Sequence, residues 1–257
     1  MTYKRILTIQ DISCVGQCST TVALPVLSAL GHETCILPTM VLSTHTGGFG
    51  RPVVQRLDGR LLETAAHWRE NGIFFDAILV GYLGSIPAVE AAGEILKTML
   101  APGGLAIVDP AMGDNGRLYA GFDGDYVAAV GRLCAQADIL LPNRTEAELL
   151  GEKALAGRTL VLTGAVDSPG RTGILLRTRE GERTYVHDRI GGGFHGTGDL
   201  FAAVFTGVLM QGKEAFDAAR IAADFVKLCI ENTVADPAHW YGVRFEPVLT
   251  KLAEMVK

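Results

Sequence analysis

Short apolar runs alternate with helical patterns along nearly the whole chain. Residues 6–9, 77–80, 105–108, 139–141 and 160–162 are each a few residues long and bounded by polar residues, Gly or Pro. That is the pattern of strands buried on both faces. Between them, apolar positions recur at helical spacing. In 87–100 they fall at Val89, Ala92, Ile95, Leu96 and Met99, and Pro87 suits a first helical turn, where its missing N–H leaves nothing unpaired. In 215–231 the charged residues Asp217, Arg220, Asp224, Lys227 and Glu231 are spaced 3, 4, 3, 4 in an otherwise apolar run. So thin a polar stripe predicts a mostly buried helix with one wet edge. Shorter helical patterns span 145–150 and 200–210. The alternation predicts an α/β fold whose mainly parallel sheet is covered on both faces. One segment departs from it: 173–177 and 184–187 flank Arg179-Glu180-Gly181-Glu182, which predicts an antiparallel hairpin late in the chain. Neither a repeat nor a linker-like stretch interrupts the pattern, so residues 1–257 are expected to form one domain.

Composition narrows the picture. Hydrophobic residues make up 48% and charged residues 20% of the 257, which excludes a disordered chain. The net charge is −5, with no basic stripe, so no nucleic-acid partner is expected. Five scattered cysteines form no C-x-x-C pair, which argues against zinc and for a reduced, cytoplasmic setting. Cys14 and Cys18 are expected to be small packing residues rather than catalytic thiols. The first residues lack the apolar run of a signal peptide, and the longest apolar stretch is too short to span a bilayer, so no membrane partner is expected.

The 31 glycines exceed the usual share of ~7% and mark candidate loops. Residues 191–196, GGGFHG, match G-x-G-x-x-G, but they follow a hairpin rather than a first parallel strand, which argues against a nicotinamide cofactor. Gly196-Thr197-Gly198-Asp199 runs directly into the helical pattern 200–210. Unpaired N–H groups at a helix start carry partial positive charge, and glycines there let an anion approach the main chain. Asp199 is then placed to take a proton from a nucleophile. As a helix cap it would need no chemistry at all. From this motif alone both readings stay open. Asn143-Arg144-Thr145-Glu146 follows the strand 139–141. It fits a capping box, and it also brings Asn143 and Glu146 to the carboxyl edge of a parallel sheet, where ligands of open α/β folds bind. Asp109 reaches the same edge. Two carboxylates there could hold Mg²⁺ carrying phosphates, directly or through water.

Taken in order, TIQDISCVGQCS at 8–19, STHTGGFG at 43–50, GYLGS at 81–85, VDPAMGDNGRLY at 108–119, LPNRTEAELL at 141–150 and HGTGDLFAA at 195–203 resemble the ribokinase-like fold, and within it the vitamin B6 (pyridoxal) kinases. The resemblance implies a three-layer α/β/α architecture and ATP-dependent phosphorylation of a hydroxymethyl group. It implies Asp199 as the base, the amides of Gly196, Thr197 and Gly198 as the anion hole, and Asp109 and Glu146 at the metal and triphosphate. Asn143, Thr163 and Gly164 would touch the nucleotide. Asp11, Thr46, Gly47 and Asp199 would face the B6 substrate. His45 could hydrogen-bond a ring substituent or be a loop histidine satisfied by solvent or backbone, and Tyr82 could face the ring or serve ordinary core packing; both readings stay open. Mg²⁺, a monovalent cation and a homodimeric assembly are also implied. Many of these kinases carry Ser where Asp11 stands, and many carry a further helix in the region of 151–158, so that edge is expected to be abbreviated. The rival within the fold, a hydroxymethylpyrimidine kinase, typically opens with SGGAG and has Cys after G-T-G. Here 13–18 reads SCVGQC and Asp199 follows instead, which favours the B6 type. A non-catalytic binder of pyridoxal phosphate or nucleotide would be expected to have lost part of the Asp199, Glu146 and glycine-loop set.

Overall fold

A computed structural model describes residues 3–191 and 193–257. Met1, Thr2 and Gly192, the last inside the 191–196 glycine run, lie outside the described residues. In chain order the elements are β1 (Arg5–Ser13), α1 (Thr20–Ala29), β2 (Glu33–Leu42), β3 (Val54–Arg56), α2 (Leu61–Glu70), β4 (Phe75–Val80), α3 (Ile86–Met99), β5 (Leu100–Val108), β6 (Gly113–Asp114), β7 (Arg117–Leu118), α4 (Gly124–Cys134), β8 (Ile139–Leu140), α5 (Arg144–Leu155), β9 (Thr159–Ser168), β10 (Arg171–Thr178), β11 (Gly181–Asp188), α6 (Thr197–Met210), α7 (Ala215–Val234) and α8 (Leu249–Met255).

Nine strands form one sheet in the order β11-β10-β9-β8-β5-β4-β1-β2-β3. Its centre, from β9 to β2, is parallel, as the buried apolar runs require. Both ends turn antiparallel. β10 pairs with β9 and β11, and β3 pairs with β2. The expected hairpin is β10–β11, with Gly173 opposite Val186 and Arg177 opposite Glu182. Two apolar layers sandwich the sheet. One gathers α1, α6, α7 and α8 through residues such as Leu27, Phe205, Phe225 and Leu252. The other gathers α2, α3, α4 and α5 through Leu61, Ile95, Leu133 and Leu155. This is the three-layer α/β/α arrangement expected from the motifs.

The narrow polar stripe of α7 behaves as its spacing requires: Ala218, Ala222, Phe225 and Cys229 are buried while Arg220 pairs along the helix with Asp217 and Asp224. The 151–158 edge is short but not bare. Gly151 (φ 71°) interrupts α5, and the helix resumes to Leu155, whose side chain is buried. Among the described residues, no helix is long and apolar enough to cross a membrane.

Candidate active site

The carboxyl ends of β1, β4, β5, β8 and β9 open onto one edge of the sheet, and α6 begins over it. Gly196 caps α6 in the left-handed region (φ 80°) with no side-chain partner for the first amides. A Cβ there would lie 1.8 Å from the Gln17 carbonyl oxygen, so the loop can follow this path only with glycine. The amides of Thr197, Gly198 and Asp199 start the helix without intrahelical acceptors. Asp199 lies within the first turn, not at the cap itself. The helix-cap reading of this residue therefore has no geometric support.

Four carboxylates follow one another along this edge: Asp11 lies near Asp199, Asp199 near Asp109, and Asp109 near Glu146. Burial pushes the Asp199 carboxyl up to about 6, with Asp11 pushing the same way and the Ser19 backbone amide pulling it back. Asp109 is pushed well above the carboxylate range by burial, then by Glu146 and Asp199. Its Oδ1 accepts from the Ala111 amide at 3.2 Å, and its Oδ2 lies 3.9 Å from where a Cβ on Gly198 would sit. Glu146 is 2% exposed and raised to about 7, chiefly by burial. Its Oε1 accepts from the amides of Met112 (3.1 Å) and Gly113 (3.5 Å), and its Oε2 accepts from Asn143 (2.9 Å). Asp11 is buried where the β1–β2 register shifts, and its amide donates to the Tyr82 carbonyl at 3.2 Å. Ser13 Oγ donates to its Oδ2 at 2.9 Å, and burial raises its carboxyl.

No ion pair among the described residues holds Asp11, Asp109, Glu146 or Asp199. Buried carboxylates without cationic partners are costly unless a ligand supplies the charge. A divalent cation would fit that need. Among the described residues, no group of three or more His, Cys, Asp or Glu side chains gathers as a ligand set. Asp109 and Glu146 are the residues that could hold Mg²⁺, which is commonly held by one or two carboxylates together with substrate phosphates and water.

The other expected site residues divide into open and engaged. The capping box of Asn143 and Glu146 is real, and Asn143 Nδ2 also donates to the Gly113 carbonyl at 2.8 Å. Cap and carboxylate site are thus the same structure rather than rivals. Thr163 is tied to Pro142 through its amide (3.0 Å), whereas Gly164 (φ 64°) has open space above it. Tyr82 lies beside Phe122 and Tyr119, with ring centroids at 5.6 and 6.4 Å. Thr46 is exposed. Gly47 packs against His195, whose ring would lie 2.3 Å from an added Cβ.

His45 follows the backbone-satisfied reading of the two. Its Nδ1 accepts from the Gly47 amide at 3.0 Å, which leaves the proton on Nε2, and Nε2 donates to the Tyr241 carbonyl at 2.5 Å. No ring nitrogen is free for a substrate substituent. Cys14 is exposed rather than packed. Cys18 lies near Asp199 and Asp11, and burial with those charges keeps it a neutral thiol.

Sequence reasoning missed Tyr119, whose hydroxyl is pushed up by burial and by Glu146 and Asp109. It also missed the run His239-Trp240-Tyr241. Aromatic residues in a loop outside any helical or strand period were the available signal.

Comparison with known proteins bears on this site. A family model described as phosphomethylpyrimidine kinase matches residues 24–242. The chain belongs to the phosphomethylpyrimidine kinase family. It is similar to the pyridoxine/pyridoxal/pyridoxamine kinase of Bordetella bronchiseptica, 29% identical over 260 residues and covering 89% of each chain. It is also similar to the crystal structure of pyridoxal kinase from Lactobacillus plantarum, at 34% identity and a TM-score of 0.90, with 98% of this chain and 97% of that one covered. A candidate phosphomethylpyrimidine kinase from Bacteroides thetaiotaomicron, in a crystal form with pyridoxal, is 32% identical with a TM-score of 0.90, covering 97% of this chain and 96% of that one. The resemblance to vitamin B6 kinases read from the ordered motifs is borne out by these relatives.

Proposed function

We propose that residues 1–257 act as one kinase domain that transfers the γ-phosphoryl group of ATP to the hydroxymethyl group of pyridoxal, pyridoxine or pyridoxamine. The observation that carries the reading is the approach of Asp109 to both Glu146 and Asp199, with Asp109 and Asp199 half-buried and Glu146 buried, all without cationic partners, beside the glycine-opened start of α6. The proposed setting is the cytoplasm and the proposed assembly a homodimer, as in the resemblance, with a monovalent cation as an accessory ion.

Phosphoryl transfer is mainly positioning and charge stabilisation. Mg²⁺, when bound, would neutralise the triphosphate. Asp109 would reach it, and Glu146, three of whose acceptor positions hold backbone amides, would act through its remaining lone pair or a water. The amides of Gly196, Thr197 and Gly198 would receive the migrating phosphoryl oxygens, because the helix start leaves them unpaired and pointed at the site. Asp199 would take the alcohol proton. Burial supports this role by raising its carboxyl toward the range of an effective general base. Asp11 would face a cationic group of the vitamer, the ring nitrogen or an amine. Thr46, Gly47 and Tyr82 would line the substrate side, and Asn143, Thr163 and Gly164 the nucleotide side.

The family description favours a second substrate, hydroxymethylpyrimidine, which presents the same reacting group. A coupled ADP-release assay with Mg-ATP against the three B6 vitamers and hydroxymethylpyrimidine decides between them. Turnover of at least one vitamer is expected. Turnover of the pyrimidine alone would replace the B6 reading with the second one.

A further inference from the structure

The segment between α7 and α8 bows out from two fixed ends. Arg244 anchors it to Asp236 (3.0 Å), and the Arg244 amide donates to Thr233 Oγ1 (2.9 Å). Asn232 Nδ2 donates to the Arg244 carbonyl at 2.9 Å, and Val243 and Phe245 are buried in the core. The crest, His239-Trp240-Tyr241-Gly242, lies across the loop 43–50 and the turn at Gln17. Phe49 packs on Trp240 and Tyr241, with centroids at 4.7 and 5.8 Å. Gly48 (φ 84°) meets Trp240 so closely that an added Cβ would lie 2.5 Å from the indole. Gly242 has room for no side chain against Gln17, and His239 Nε2 and Gln17 Oε1 are 3.2 Å apart. Trp240 itself is 47% exposed, so its outer face lies in water and its inner face on the loop.

One continuous relay connects this crest to the loop backbone. The Tyr241 carbonyl accepts from His45 Nε2, and His45 Nδ1 accepts from the Gly47 amide. The His45 ring also packs against Phe49 and His195, with centroids at 5.0 and 4.8 Å. His195 immediately precedes the glycine that caps α6.

We propose that the Trp240–Tyr241 crest is a positioning element for the substrate loop 43–50, acting through the His45 ring on the backbone of Gly47. His45 and Trp240 are then positioning residues for the B6 substrate and touch neither the vitamer nor the nucleotide. The assignment of 43–50 to the substrate rests on the kinase reading above. Holding a loop in its binding conformation lowers the cost of ordering it when the ligand arrives. Loosening the crest therefore weakens vitamer binding and leaves the nucleotide side alone.

The test uses wild type, His45→Asn, Trp240→Ala and the double variant. Asn reproduces the Nδ1 acceptor toward Gly47 but cannot reach Tyr241. Each single variant is expected to raise KM for the vitamer about three- to tenfold, the effect of one lost hydrogen bond or contact, with KM for ATP and the melting temperature near wild type. Because both changes break one relay, the double variant is expected to be no worse than the poorer single variant. Unchanged vitamer KM in either single variant, equal rises in both KM values, or multiplicative effects in the double variant would overturn the proposal. A second readout does not depend on activity: hydrogen exchange of the Gly47 amide is expected to quicken in Trp240→Ala. Unaltered exchange there overturns the relay. Failure of wild type to turn over any vitamer would instead overturn the kinase reading, with the exchange result still deciding the relay.

Discussion

Replacing Asp199 with Asn removes one negative charge from the first turn of α6 and keeps the size of the side chain. Two effects of opposite sign follow. Burial raises the carboxyl in the folded protein to about 6 from an ordinary 3.8, and a shift of about 2 units corresponds to about 3 kcal/mol at ~1.36 kcal/mol per unit. The carboxylate is only partly shielded from solvent, and the first turn attracts a negative charge by about 0.3–1 kcal/mol. The net cost of the charged form is therefore about 1–2 kcal/mol. Because the folded value lies above the unfolded one, the cost is absent below about pH 4, grows as pH rises through the folded value, and is complete above it. Asn carries no such cost at any pH. Asp199→Asn should match wild type in melting temperature near pH 4 and melt about 2–8 °C higher at pH 8. Turnover should move the other way. Loss of a general base costs about 10²–10⁴-fold, or about 3–5 kcal/mol of barrier, and the acid limb of the wild-type rate profile near pH 6 should vanish. Thermal unfolding across pH, ATP binding and ADP-release kinetics on one preparation check all of this. A folded, ATP-binding variant with turnover within about threefold of wild type, far short of the general-base range, would remove Asp199 from the mechanism. A variant less stable than wild type at pH 8 would refute the burial argument.

Glu146→Gln cannot keep every cap bond, since its NH₂ must face either the Asn143 amide or those of Met112 and Gly113; we expect a stability loss of about 1–3 kcal/mol in chemical denaturation. Its turnover should also fall and be partly restored by higher Mg²⁺, and full activity would leave only the capping role. Asp11→Ser should raise KM for the vitamers and leave KM for ATP unchanged, by loss of a charge-assisted bond of about 1.5–3 kcal/mol; identical KM values for all three vitamers would refute that contact. Gly196→Ala places a Cβ 1.8 Å from the Gln17 carbonyl oxygen in a left-handed conformation, so kcat should collapse with a stability loss of at least about 1 kcal/mol. Gly191→Ala, which meets open space, should behave as wild type, and equal loss in both would point to general sensitivity of the loop.

Much of the architecture was written in local periodicity. Runs of a few apolar residues at 77–80 or 105–108 have only one way to bury both faces, and they became the parallel centre of the sheet. The turn chemistry around Gly181 marked the antiparallel hairpin, and the positions of Asp109, Glu146 and Asp199 at strand ends and helix starts were legible because those places have recognisable chemistry. β2 was not legible. Its Pro38 and mixed burial disguise a strand that exists because β1 supplies its ladder. The role of Glu146 was not separable either, since cap and carboxylate site share the same oxygen atoms. His45 illustrates the limit best. Its sequence neighbourhood left a ligand contact and a backbone-satisfied ring equally open, and the ring is engaged by Gly47 two residues on and by Tyr241, 196 residues away. Hydrophobic spacing determines which face of an element is buried. Which polar groups meet across distant loops is decided only when the packed layers bring those loops together, because a donor in water has no preferred partner until burial removes the solvent.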